Sequence, residues 1–187
     1  MSERIIVINP NSTEDCTRGI DAAMDPLRMT GGPDIECMTL NEGPPGVESQ
    51  GDSDSVAIPI RDTIKARDND AGAFVIACFS DPGLYAAREA TSKPVLGIAE
   101  CAYLKAMTLG ENFGVISILE SSVKRHQRYV RQLGIQSRWA GDLAIGLGIL
   151  ELTNEDKVMR HMIDAGKRLR DTNGADVVVM GCAGMAR

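Results

Sequence analysis

Short runs of β-branched residues alternate with longer helical segments along this chain, and this alternation restricts the fold more than any other feature. It is typical of β-α-β units, in which helices cover parallel strands. The run Ala73–Ala77 is apolar throughout, as expected of a strand buried on both faces. We predict an α/β fold with strands at Arg4–Ile8, Asp34–Leu40, Ala73–Ala77, Pro94–Ile98, Phe113–Ile118 and Asp176–Met180.

Helices are predicted between these strands. Pro59 lies inside the second helix and should kink or split it. The glycine- and proline-rich stretch Asn41–Gly51 is predicted as a loop, and because long loops in compact domains often cover sites, it is a candidate lid. The predicted helices are Thr13–Met24, Asp52–Asp68, Pro82–Ala90, Glu100–Thr108, Ser121–Leu133 and Asn154–Asp171.

An internal repeat relates the two halves of the chain. Asp70–Cys78 aligns without a gap on Gly174–Cys182, an offset of 182 minus 78, or 104 residues. A second pair, Ile6–Asn9 and Gly114–Ser117, consists of strand residues that lead into a polar turn. The repeat indicates two similar lobes that face each other.

Composition and charge exclude several classes of function. The chain has 187 residues, 43% of them hydrophobic, which is usual for a globular protein. Its net charge is -6 and no basic stripe is present, which argues against a nucleic-acid surface. The apolar run Ile5–Ile8 is too short for a signal peptide or a membrane span. We therefore expect a cytoplasmic protein with a small-molecule partner and no nucleic-acid or membrane partner.

The cysteines are odd in number and none forms a C-x-x-C pair, which disfavours a disulfide framework and a structural zinc site. A chain of this length builds a core without such links. Cys101 has no counterpart in the repeat, and two others fit core or half-buried positions. The five cysteines are Cys16, Cys37, Cys78, Cys101 and Cys182.

Cys78 and Cys182 each follow a predicted strand directly. Ligands bind at the carboxyl ends of strands in open parallel sheets, so these positions are favoured for chemistry. A single cysteine there is most often a small buried hydrophobe, but two at matching strand ends are harder to explain in that way. A predicted helix start at Pro82 favours a thiolate at Cys78.

A thiolate and a thiol on opposite sides of a carbon acid invert its configuration without a cofactor. One removes the proton from one face and the other returns a proton to the opposite face. Backbone N–H groups in the turns after the strands are suited to hold the enolate charge. The turn Asn9–Thr13 adds side-chain donors and acceptors, although a turn with a helix cap accounts for it equally well.

Neither histidine is predicted to bind a metal. His126 and His161 lie in charged helical segments without an H-x-x-x-H or H-E-x-x-H pattern. We expect both on solvent-exposed helix faces. No nucleotide-binding glycine pattern is present either, so no metal and no cofactor are predicted.

Four segments resemble the signature segments of the aspartate/glutamate/hydantoin racemase superfamily, on its hydantoin and allantoin racemase side. The resemblance extends from residue 4 to the last residue. The segments are Ile8–Ser12, Ala77–Leu84, Gly114–Ser117 and Gly181–Met185.

This resemblance implies a pair of similar α/β lobes, 1–97 and 98–187, related by a pseudo-twofold axis with the active site in the cleft between them. It implies that Cys78 and Cys182 are the two bases, and we also expect a homo-oligomer. It further implies that the substrate is held by Asn11, Ser80 and Ser117 and by the backbone around Phe79, Ala183 and Gly184. Members of the family normally continue some tens of residues further, so we expect a truncated or incomplete sequence.

The carbon acid predicted in this way is C5 of a 5-substituted hydantoin or of allantoin. An aspartate or glutamate racemase is an alternative, although it needs groups for two carboxylates and Phe79 is apolar. A module that binds a small anion without chemistry is another alternative, but paired thiols are unnecessary for binding.

Overall fold

The computed structural model of the chain describes residues 4–185. These residues form two compact units, one extending to Ile98 and the other spanning Ala99–Met185. Each unit contains one parallel β-sheet flanked by helices, which confirms the predicted fold class.

The first unit has a four-stranded sheet with strand order β2-β1-β3-β4, and all neighbouring strands are parallel. Its elements are β1 (Arg4–Asn9), α1 (Glu14–Met24), β2 (Asp34–Thr39), α2 (Gln50–Ser55), α3 (Ala57–Ala66), β3 (Ala73–Ile76), α4 (Leu84–Arg88) and β4 (Val95–Gly97).

The second unit has a three-stranded parallel sheet with strand order β6-β5-β7. Its elements are α5 (Ile98–Ala106), which begins at the boundary, β5 (Phe113–Ser117), α6 (Glu120–Gln132), β6 (Trp139–Ala144), α7 (Glu155–Asp171) and β7 (Val177–Met180).

The two units share a topology and a register, as the internal repeat predicts. In each, the first strand is central and the next two strands of the repeat lie on either side of it. The N–H of Ala77 donates to the carbonyl of Ile8 at 2.8 Å, and the N–H of Gly181 donates to the carbonyl of Ile116 at 2.8 Å. The residue before each candidate cysteine is thus bonded to the same position of the central strand.

Each sheet is packed on both faces: alternate residues of its central strand point to opposite sides, and Val7 and Val115 are buried as well as their neighbours. Ile6 and Ile8 are buried with Ile60 and Ile64 of α3. In the second unit, Ile116 lies in one cluster with Ala165 and Leu169 of α7. Burial of such side chains stabilises each unit by roughly 1.5–3 kcal/mol per residue.

Strand β6 was not predicted from the sequence. Its residues, Trp-Ala-Gly-Asp-Leu-Ala, contain no β-branched side chain. Pairing with β5 holds this segment in the sheet. Tertiary pairing therefore decides the conformation here, against a weak local preference.

The predicted helix Asp52–Asp68 is split, as expected, but the split lies at Val56. Pro59 therefore lies in the first turn of α3, where its missing N–H is not needed. The helix after Cys78 begins at Leu84 and not at Pro82. Asp81 and Gly83 both have positive φ values, 43° and 69°, which are incompatible with a continuous helix.

No helix within residues 4–185 is long and apolar enough to cross a membrane.

Candidate active site

Cys78 opens a tight turn at the end of β3. Its carbonyl accepts a hydrogen bond from the N–H of Asp81 at 3.0 Å. Gly83 is required in this turn, because it has a φ of 69° and a β-carbon there would lie 2.8 Å from the α-carbon of Ala57. Cys78 forms no disulfide and is half-buried. Backbone geometry therefore fixes the position of Cys78.

Asp81 turns its carboxylate back over the sheet. The side chain is buried, and a β-carbon on Gly97 would overlap it. Gly97 is the last residue of β4, which pairs with β3. The left-handed conformation of Asp81 is uncommon outside glycine, although aspartate tolerates it better than most residues. Its contact with the α-carbon of Gly97 anchors the turn after Cys78.

Cys182 opens an equivalent turn at the end of β7. Its carbonyl accepts a hydrogen bond from the N–H of Met185 at 3.1 Å. A β-carbon on Gly184 would lie 2.8 Å from Cδ1 of Leu152 and 3.7 Å from Sγ of Cys182, so the sulfur lies beside this turn. Cys182 forms no disulfide and is half-buried. Both candidate cysteines thus begin a turn closed by a bond to the third residue after them.

The turn after β1 is held by its own side chains. Nδ2 of Asn9 donates to Oδ1 of Asn11 at 3.0 Å, and the N–H of Thr13 donates to the same oxygen at 3.0 Å. Nδ2 of Asn9 also donates to the hydroxyl of Thr17 at 2.9 Å. Asn9 and Asn11 are buried. The predicted turn leads into α1, but its side chains bond within the turn and Thr13, the N-cap residue, makes no side-chain cap bond. A substrate contact of Asn11 stays a prediction.

The candidate lid packs against this turn. The N–H of Ser12 donates to the carbonyl of Pro44 at 2.9 Å, and the hydroxyl of Thr13 donates to the carbonyl of Pro45 at 2.7 Å. A β-carbon on Gly43 would lie 2.1 Å from the carbonyl oxygen of Pro10 and 3.1 Å from the α-carbon of Asn11, so the backbones approach closely. The loop lies where a lid over the β1 exit would lie, and that role stays a prediction.

Ser117 ends β5 inside a buried polar cluster. Its hydroxyl lies 3.0 Å from Nδ1 of His126, and the same nitrogen lies 2.7 Å from Oδ2 of Asp142. Ser117 has 0% exposure. The hydroxyl of Ser117, a predicted substrate contact, therefore points towards the imidazole of His126.

The prediction that His126 lies on a solvent-exposed helix face is wrong. His126 is 1% exposed and lies on the inner face of α6. The spacing of Ser122, His126 and Val130 at i, i+4 and i+8 is a signal for a common buried face, obscured by the neighbouring charges. Asp142 was missed because β6 was not predicted. His161, by contrast, is exposed.

The predicted site residues lie at the carboxyl edge of their own sheets. Because β1 and β3 are neighbours, the turns after them, Asn9–Thr13 and Cys78–Gly83, share one edge. Ser117 and Cys182 share the corresponding edge of the second sheet. Phe79 is buried, whereas Ser80, Ala183 and Gly184 are half-buried.

Other candidate chemistry is sparse among residues 4–185. No cluster of three or more histidine, cysteine or acidic side chains in this part of the chain has a geometry suited to a metal. Cys16 is buried, and Cys37 and Cys101 are half-buried. Within this part of the chain, the two cysteines at strand ends are therefore the main candidates for chemistry.

Comparison with known proteins places the chain in a family. The family model for Asp/Glu/Hydantoin racemase matches residues 5–187. A hydantoin racemase of Pseudomonas sp. (strain NS671) is 35% identical over 98% of this chain and 74% of its own length. A hydantoin racemase of Paenarthrobacter aurescens is 34% identical over 97% of this chain and 78% of its own length.

Solved structures agree with this placement. The allantoin racemase from Klebsiella pneumoniae is 33% identical, with a TM-score of 0.89 over 99% of this chain and 76% of that protein. A glutamate racemase from Campylobacter jejuni is 17% identical, with a TM-score of 0.63 over 97% of this chain and 72% of that protein, and shares the fold. From the family match and these relatives we conclude that the chain belongs to the Asp/Glu/hydantoin racemase family and is a racemase.

Proposed function

We propose that this racemase inverts C5 of a 5-substituted hydantoin or of allantoin, with Cys78 and Cys182 as its two bases. The observation that carries the proposal is the equivalence of the two cysteines. Each cysteine follows a strand, and the residue before it is bonded to the same position of the central strand. The carbonyl of each cysteine accepts a hydrogen bond from the N–H of the third residue after it. The named activities of the relatives support the choice of substrate.

The reaction needs only a proton and an electron pair to move. A thiolate takes the proton from C5, so that an S–H bond forms while the C–H bond breaks. The electron pair passes into the adjacent carbonyl as an enolate. The second thiol then gives its proton to the opposite face of C5 and becomes the thiolate. The roles exchange for the other enantiomer, as two bases in different protonation states require.

The enolate needs donors that are fixed before the reaction. In each turn, the carbonyl of the cysteine is bonded to the N–H of the third residue after it, and two residues lie between them. These are Phe79 and Ser80 in one turn and Ala183 and Gly184 in the other. We propose that the backbone there, with Ser80, binds the polar atoms of the ring. Asn11 and Ser117 are proposed contacts at the ends of the two central strands.

Because α4 has five residues and starts at Leu84, we assign its dipole no part in ionising Cys78.

Isotope exchange tests the proposal. Single enantiomers of 5-substituted hydantoins, allantoin, aspartate and glutamate are incubated with the chain in deuterated water, and optical rotation and deuterium at the α-carbon are followed. We expect racemisation and exchange with a hydantoin or allantoin. Exchange of aspartate or glutamate alone would show an amino-acid racemase instead, and binding without exchange would show a binding module.

Cysteine variants test the two bases. Cys78→Ser and Cys182→Ser should each abolish racemisation, while each variant can still exchange the proton of one enantiomer. Cys101→Ser, at another half-buried cysteine outside any disulfide, is the matched control and should keep its activity. Full activity in either of the first two variants would refute the two-base mechanism.

We also propose that the enzyme is a cytoplasmic homo-oligomer that uses no cofactor. Light scattering after gel filtration measures its mass in solution, and a mass of one 20.1 kDa chain would contradict the oligomer.

A further inference from the structure

A buried polar cluster lies beneath the carboxyl edge of the second sheet, and the proposed mechanism gives no role to two of its members, His126 and Asp142. It joins α6, β5 and β6 through His126, Ser117 and Asp142. Nδ1 of His126 is 2.7 Å from Oδ2 of Asp142 and 3.0 Å from the hydroxyl of Ser117. The side chains of His126 and Asp142 are 2% and 0% exposed.

Stability does not account for this cluster. A buried carboxylate costs free energy unless donors satisfy it, and apolar side chains of similar volume often stabilise a core better. Oδ1 of Asp142 is buried without a hydrogen-bond partner among the described residues, so the cluster is only partly satisfied. Partly satisfied buried polar groups in native proteins call for another explanation, such as a role at a functional site.

The ring of His126 faces the chain just before Cys182. A β-carbon on Gly181 would lie 3.3 Å from Cε1 of His126 and 2.7 Å from the carbonyl oxygen of Ile116. Gly181 therefore fits closely between the imidazole and the central strand. Its N–H donates to that same carbonyl at 2.8 Å, and the next residue is Cys182.

We propose that His126 is a positioning residue for Cys182. Asp142 and Ser117 hold the imidazole at Nδ1, and the carbon edge of the ring holds the backbone of Gly181, which sets the position of the sulfur of Cys182. The catalytic part of this inference rests on the proposed function, because it takes Cys182 as one of the two bases. The positioning itself is testable without any substrate.

Thiol labelling is the first test. The folded chain is treated with iodoacetamide, and alkylation of each cysteine is followed by mass spectrometry in the wild type and in His126→Asn. We expect the labelling rate of Cys182, relative to that of Cys78, to rise about threefold or more, because the variant loses the contact between the ring of His126 and the backbone of Gly181. The matched control is His161→Asn, which replaces the exposed histidine of α7 and should leave the ratio unchanged. An unchanged or lower ratio in His126→Asn would overturn the proposal.

Isotope exchange is the second test. In His126→Asn, exchange at C5 should slow about tenfold for the enantiomer whose exchange Cys182→Ser abolishes, and much less for the other enantiomer. Equal slowing of both would show a general structural role and refute positioning. If the wild type exchanges no substrate, the proposed function fails, and the labelling ratio still decides the positioning of Cys182.

A variant that unfolds is recognised by faster labelling of all five cysteines. In that case Ser117→Ala, which removes one hydroxyl from the cluster, replaces His126→Asn. The same selective rise at Cys182 is expected, and its absence in a folded Ser117→Ala chain would refute the proposal.

Discussion

The carboxylate of Asp81 lies against the bare α-carbon of Gly97, with no space for a side chain between them. This contact joins the turn after Cys78 to the end of β4 within the first unit. Asp81 is buried and has a φ of 43°, so the packing of Gly97 stabilises a backbone conformation that is otherwise uncommon.

Replacement of Gly97 tests the importance of this contact. In Gly97→Ala the added methyl must displace the carboxylate of Asp81, and we expect the free energy of unfolding to fall by about 1–3 kcal/mol. Racemase activity should fall as well, because Cys78 lies in the same turn. Urea unfolding and the exchange assay measure the two effects. Wild-type stability and activity in this variant would show that the turn adapts freely.

Gly166 in α7 is a contrasting position. A β-carbon there would meet only Cδ1 of Ile116, at 3.9 Å. Gly166→Ala should therefore raise the free energy of unfolding by about 0.4–1 kcal/mol, because alanine restricts the unfolded chain and favours the helix. Gly181→Ala, with a methyl 2.7 Å from a carbonyl oxygen, should lower it. Thermal melts compare the variants, and destabilisation by Gly166→Ala would contradict this account of the two glycines.

An ion pair between β2 and the end of α3 should give acid-dependent stability. Nη1 and Nη2 of Arg67 donate to Oε1 and Oε2 of Glu36, both at 2.9 Å, and these bonds hold the pKa of Glu36 below its ordinary value of 4.5. Because the folded-state pKa is lowered, the stabilisation is present above pH 4.5 and is lost as the pH falls through the folded-state pKa.

The free energy of unfolding of the variant Glu36→Gln should therefore be about 1 kcal/mol lower than that of the wild type at neutral pH. Solvent screening of this partly exposed pair limits the difference. The difference from the wild type should shrink below the ordinary pKa of glutamate, as urea unfolding at several pH values would show. Asp34→Asn, on the same strand but at a more exposed carboxylate, is the control and should change stability less. A difference for Glu36→Gln that is equal at pH 7 and pH 3 would contradict the pairing.

The thiol of Cys37 should react slowly with electrophiles in the folded chain. Burial, together with a hydrogen bond from the side chain to Asp21, raises the pKa of Cys37 to about 12 from an ordinary value of 9.0. The thiolate is the nucleophile, so iodoacetamide should label Cys37 slowly at pH 8.5 in the folded chain and rapidly after unfolding in urea. Site-resolved mass spectrometry measures both rates. Equal rates in the two states would contradict the raised pKa.

The raised pKa of Cys37 also has a stability consequence at alkaline pH. The unfolded thiol ionises above pH 9.0 while the folded one keeps its proton up to about pH 12, so this group lowers stability as the pH rises through that interval.

Local patterns were sufficient to predict much of this fold. The β-branched runs correctly placed six strands, and the repeat around Cys78 and Cys182 anticipated two sheets in which three equivalent strands have the same order. The two failures have different causes. Strand β6 was missed because it lacks β-branched residues and is held by pairing with β5. The helix after Cys78 begins later than predicted because Asp81 and Gly83 have positive φ values.

The sequence by itself determined the alternation of strands and helices, the repeat, and the placement of two cysteines directly after matching strands, because these follow from residue type and spacing. Only the tertiary structure decided which polar groups meet. Asp142 and His126 are 16 residues apart and on different elements, yet Nδ1 and Oδ2 lie 2.7 Å apart. The same holds for Asp81 and Gly97, since such contacts depend on how strands and helices pack and not on any local preference.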